Sequence, residues 1–135
     1  MSDLKSLLVQ DAAAHRPRSC AAHIATFDGI TVLSVTGVID ACSIDKFSDR
    51  LSAARAIGTE RLVLDMSGVE FLGVGGLALL QDAAQALINA GGAFAVYGDR
   101  PVTRPLRRIG LTRLIPVFDW LPMAFDAVGG RAPAA

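Results

Sequence analysis

Residues 62–77, LVLDMSGVEFLGVGGL, decide how this chain is read. Leu62, Val63 and Leu64 form an unbroken apolar run of the kind that a strand buried on both faces requires, so a central parallel strand is predicted over residues 61–66. Asp65, Ser67 and Gly68 then carry turn chemistry, because short polar side chains bond to nearby amides and glycine admits unusual backbone angles. Glycines surround Val74, and from residue 76 to residue 90 the side chains of Leu77, Leu80, Ala84, Leu87 and Ile88 fall on one helical face. Gly91 and Gly92 end that helix.

Upstream, residues 20–27 and 30–39 read as strands joined by Asp28 and Gly29, a pair suited to the positive φ angles of a two-residue hairpin turn. After Asp40 the period changes to that of a helix, with Ile44, Phe47, Leu51 and Ala54 on one stripe, Ser43 as N-cap and Gly58 as the stop. Downstream, residues 93–97 give a fourth strand, and Pro101 and Pro105 fit a helix that finishes near Ile109 and Gly110. Residues 115–118 read as a short edge strand, and Asp119 as the cap of a last helix. The alternation predicts an α/β fold, a mixed β-sheet of about four to five strands with helices packed on it, opening with a β-hairpin. One domain is expected over residues 20–128, preceded by an N-terminal extension over 1–19 with a helix from 3 to 14, and followed by a flexible tail over 129–135.

Thirteen basic and thirteen acidic side chains cancel, so the chain has no overall pull toward nucleic acid or an anionic membrane. Although 52% of residues are hydrophobic, no apolar stretch approaches the roughly 20 residues that cross a bilayer. A cytoplasmic location is expected, with Cys20 and Cys42 as free thiols. His15 and His23 are not grouped by spacing with a nucleophile or an orienting acid, and the histidines and cysteines lack zinc-site spacing. No enzyme activity, catalytic residue, metal or cofactor is assigned.

Four segments together resemble the STAS domain, the fold of anti-sigma factor antagonists. Residues 35–40, VTGVID, are similar to the family's strand ending in Gly-x-hydrophobic-Asp, and residues 64–71, LDMSGVEF, to its Asp-Leu-Ser-x-Val-x-Phe segment. Residues 108–118 resemble the late helix, Gly-Leu turn and short strand, and Asp119, Trp120 and Leu121 stand where the family often has Asp-Ser-Leu. The match covers about residues 21 to 128. It departs in the loop, where the family has Asp-Ser-Ser-Gly or close to it and a serine accepts phosphate from a partner kinase. Gly73, Val74, Gly75 and Gly76 occupy those places, with Val74 taken as the phosphoacceptor position, and none offers an oxygen nucleophile.

The loop supports three readings: glycines that let strand and helix approach closely, amides that bind an anion at a helix start, or a docking surface centred on Val74. The resemblance implies a partner surface formed by Asp40, Gly73, Val74, Gly75, Gly76 and Leu77, although Asp40 also suits a turn or cap. The implied partner is an anti-sigma factor or serine-kinase-like regulator, bound independently of phosphorylation. The alternative is a scaffold or sensing module that takes a nucleotide, an anion, a second copy or other STAS proteins. Residues 73–78 also satisfy Gly-x-Gly-x-x-Ala, but residues 67–72 are read as separating the strand from those glycines, which argues against a dinucleotide fingerprint. Arg100, Arg104, Arg107, Arg108 and Arg113 form the one marked charge cluster, read as a solvated face or a contact for an acidic partner or anion.

Overall fold

The computed structural model of the protein describes residues 19–129. The expected extension up to residue 18 and the tail from residue 130 lie outside the described residues. The chain opens with β1 (Cys20–Phe27) and β2 (Ile30–Ile39), an antiparallel hairpin. Its turn residues Asp28 and Gly29 both have positive φ, 54° and 76°, as the dipeptide requires. Then come α1 (Ile44–Ala56), β3 (Arg61–Leu72), α2 (Val74–Asn89), β4 (Ala93–Tyr97), α3 (Arg100–Arg108), a 3₁₀ turn (Leu111–Arg113), β5 (Val117–Phe118) and α4 (Leu121–Ala127). The five strands lie in chain order, and every pairing after the first is parallel.

Two apolar layers sandwich the sheet. On one face, Leu33, Val35, Leu64, Met66 and Val96 pack against Phe47 and Leu51 of α1, Leu80 and Ala84 of α2, and Val102 and Leu106 of α3. On the other face, among the described residues, α4 sets Phe125 over Ile30, Val63 and Ala95. The rings of Phe125 and Phe27 also meet nearly perpendicular to each other at a centroid distance of 6.2 Å. Alternation along the strands sends neighbouring residues to opposite layers, so the apolar run at residues 62–64 feeds both.

β3 departs most from the sequence reading. It was expected to stop at Met66 before a turn, yet it continues to Leu72. β2 runs beside it throughout, and extra residues of β3 are absorbed at two irregularities, where the pairing passes from Ser34–Asp65 to Thr36–Gly68 and from Gly37–Val69 to Val38–Phe71. Bulges of this kind keep a ladder going while re-aiming side chains. The turn-forming residues therefore serve the first bulge, where the Asp65 carboxylate accepts hydrogen bonds from the Ser67 amide at 3.1 Å and the Ser67 hydroxyl at 2.7 Å.

Three other boundaries differ by smaller amounts. α2 starts at Val74, two residues before the expected Gly76, because Gly73 in extended conformation acts as its N-cap. The last helix is led by Trp120, not Asp119. The edge strand shrinks to Val117 and Phe118, since the Ile115 amide donates back to the Leu111 carbonyl at 2.8 Å and Pro116 has no amide to donate. Cys20 is buried and Cys42 exposed, and both thiols are free.

Candidate functional site

β2 and β3 end side by side, and the segments leaving their C-terminal ends build the site. The carboxylate of Asp40, just beyond β2, accepts hydrogen bonds from the amides of Cys42 at 2.9 Å and Ser43 at 3.2 Å. Ser43 stands at the N-cap position of α1, but its hydroxyl turns back to donate to the Val38 carbonyl at 2.6 Å and to accept the Asp40 amide at 3.0 Å. Asp40 and Ser43 thus lock the exit from β2 by mutual bonding, the pattern of an Asx turn.

The exit from β3 is fixed by the neighbouring strand. The Gly73 amide donates to the Ile39 carbonyl at 2.9 Å, which ties the helix start to β2, and the Leu77 amide then closes the first turn on the Gly73 carbonyl at 3.1 Å. Gly76 is buried, and a methyl group there would lie 2.6 Å from Leu72 Cδ1 and 2.8 Å from Ile39 Cγ2. It is the glycine that close packing demands. Gly75 differs, because a methyl group would meet only the Ile44 side chain, at 3.4 Å.

This backbone pushes Val74 into solvent. It is 82% exposed, beside Phe71 at 51%. The two side chains make an apolar ridge with a groove on either side. One groove, about 410 Å³, is lined by Asp40, Ala41, Ile44, Phe71, Gly73, Val74 and Gly75. The other, about 610 Å³, lies between the ridge and α3, with Glu70, Pro101, Pro105 and Ile109 on its walls beside Arg100, Arg104 and Arg108. Asp40 and Gly73 to Gly75 are therefore brought together at the surface. Gly76 and Leu77 lie beneath it, with Leu77 6% exposed in the core and showing one edge to the larger groove.

Sequence reasoning missed Phe71, Ile44 and Ile109, and it left the arginines apart from the loop. A signal for the arginines was present: positions 100, 104 and 108 recur every four residues and so share a helix face. Residues 67–72, expected to separate the strand from the glycines, belong to the strand, and β3 runs directly into Gly73. Packing explains Gly76, which is set against side chains of the strands, whereas Gly75 has room for a side chain. Among the described residues, no group of three or more His, Cys, Asp or Glu side chains is placed to hold a metal ion. No helix there is long and apolar enough to cross a membrane.

A hairpin-led mixed sheet with a glycine loop at the start of its second helix defines a class. This chain belongs to the STAS domain family, whose model matches residues 21–124. It is 34% identical over 117 residues to the anti-sigma-F factor antagonist RsfB of Mycobacterium tuberculosis, a match that spans 85% of this chain and 95% of that protein. The crystal structure of an anti-sigma factor antagonist from Mycobacterium paratuberculosis superposes with a TM-score of 0.78 at 32% identity, covering 84% of this chain and 97% of that one. The anti-sigma factor antagonist SpoIIAA in its unphosphorylated form shares the fold, with a TM-score of 0.63 at 16% identity over 84% of this chain and all of that one.

Proposed function

We propose that this protein is an anti-sigma factor antagonist that binds an anti-sigma factor or a related serine-kinase-like regulator. Binding uses the surface around Asp40, Gly73, Val74 and Gly75, supported from below by Gly76 and Leu77, and it does not depend on phosphorylation of the loop. The protein acts by occupying its partner and not by catalysis, in the cytoplasm. Similarity to RsfB over nearly its whole length supports the antagonist role.

One observation carries the independence from phosphate. Where the family presents hydroxyls, this chain presents the two methyl groups of an 82% exposed valine between glycines. A phosphoryl group would add about two negative charges and three strong acceptors at that point, enough to drive a docked partner away. Hydrocarbon and bare backbone have no oxygen to receive it, so the ridge stays apolar and competent to bind.

The immobilised protein, exposed to native cell extract, is expected to retain an ATP-binding anti-sigma regulator in equal amount with and without ATP. After incubation of the purified pair with ATP, intact-mass measurement should show no added phosphate. Val74→Ser and Gly75→Ser each introduce a hydroxyl, and the space at Gly75 accepts it. Stoichiometric phosphate on the unaltered protein, at Ser67 or Thr36 for example, with release of the regulator, overturns the phosphate-independent reading. Capture of no regulator, together with thermal stabilisation by a nucleotide or phosphate, favours the sensing module instead.

A further inference from the structure

We infer that the groove between the Val74 ridge and α3 receives an acidic segment of the bound regulator, with an apolar side chain between Phe71, Val74 and Ile109 and carboxylates against Arg100, Arg104 and Arg108. This rests on the proposed antagonist role and adds which face of the partner is engaged and in which direction.

The two grooves flanking the ridge differ in charge. On the α3 side three exposed arginines stand at successive turns of one helix, and among the described residues of the lining Glu70 is the one carboxylate opposing them. On the other side Asp40 is the charged group among the described residues. A partner segment laid across Phe71 and Val74 therefore meets positive potential on one flank and negative on the other, and its acids are favoured toward α3.

The walls are suited to a peptide. Ile109 is 55% exposed and faces the groove together with Pro101 and Pro105, so an apolar anchor has somewhere to sit. Proline in the first turn and again inside α3 limits backbone motion there, and the arginines project from a pre-ordered helix. Arginine forks pair two-pronged with carboxylates, which gives the contact geometric selectivity as well as charge. The groove, about 610 Å³, is open to solvent, so a partner segment can enter it.

The test uses two probes. The first is the regulator captured by the immobilised protein. The triple variant Arg100→Ala, Arg104→Ala, Arg108→Ala should bind it about tenfold more weakly, as expected for three partly solvated ion pairs. Its affinity should also lose most of its dependence on salt, while Arg55→Ala, in the last turn of α1 and outside the lining of both grooves, changes neither. The second probe needs no regulator: a labelled synthetic peptide with two leucines among aspartates and glutamates, compared with the same peptide carrying lysines. NMR titration should shift the amides of Phe71, Val74 and Ile109 with the acidic peptide only. If the regulator binds but the triple variant keeps full affinity and salt dependence, the inference fails while the antagonist role stands. If no regulator is captured yet the acidic peptide maps to the groove, the antagonist role fails and the groove's preference stands. Equal shifts from both peptides, or shifts produced by inorganic phosphate or by a second copy of the chain in place of the peptide, overturn the inference.

Discussion

Adding one methyl group at Gly76 tests whether the helix start is held against the sheet by the lack of a side chain. The new carbon would sit 2.6 Å from Leu72 Cδ1 and 2.8 Å from Ile39 Cγ2, where carbon atoms prefer about 3.5–4.0 Å. The Leu72 methyl terminates a flexible side chain and can swing, although the residue is only 4% exposed. Ile39 has less freedom, since it is fully buried and its Cγ2 hangs from a β-branched carbon with few allowed rotamers. Overpacking costs about 1–3 kcal/mol, and two clashing neighbours place Gly76→Ala near the upper end. Alanine returns about 1 kcal/mol through helix propensity. The net expectation is a loss of about 2 kcal/mol, or a midpoint lowered by roughly 6–10 °C for a domain of this size. Gly75→Ala supplies the same propensity gain where the nearest neighbour is an ordinary 3.4 Å contact, so it should be neutral or more stable by up to about 1 kcal/mol. Urea unfolding of the three proteins, with slopes compared to confirm a common transition, measures both changes. A Gly76→Ala protein as stable as the parent, at unchanged slope, would refute the close-packing account and with it the reason Val74 is pushed outward.

The frame around the site can be probed in the same way. Ser43→Ala removes a buried hydroxyl that bridges the Val38 carbonyl and the Asp40 amide, and should cost about 1–2 kcal/mol in chemical denaturation. Asp40→Asn keeps an acceptor for the amides of Cys42 and Ser43 and should lose about 0.5 kcal/mol or less, whereas Asp40→Ala should lose about 1 kcal/mol. Phe125→Ala empties the centre of the second layer, where the ring is 1% exposed, and should lower stability by about 3–5 kcal/mol with detachment of α4 seen as early amide exchange.

Much of the fold was legible because the signals were local. Asp28 and Gly29 encode a turn whose angles two adjacent residues set, Gly58 and Gly91 both adopt the positive φ that ends a helix, and the stripe of Leu77, Leu80, Ala84 and Leu87 announces a helix by its own spacing. β3 was misjudged beyond Met66 because Ser67 and Gly68 favour a turn when a strand has no neighbour, whereas here Ser67 is taken up in a bulge and β2 resumes pairing at Gly68. The same cause moved the start of α2, since the bond from the Gly73 amide to the Ile39 carbonyl joins residues far apart in sequence.

By itself, then, the chain determined a hairpin, a two-faced central strand, alternating helices and a segment at residues 73–76 free of hydroxyl groups, because each arises from the chemistry of neighbouring residues. Tertiary structure alone decided that Gly76 supports the site from beneath while Val74 and Phe71 form its crest, and that three arginines from α3 face that crest across a groove. Such juxtapositions depend on how separate elements pack on one sheet, and the spacing of residues along either element does not carry that information.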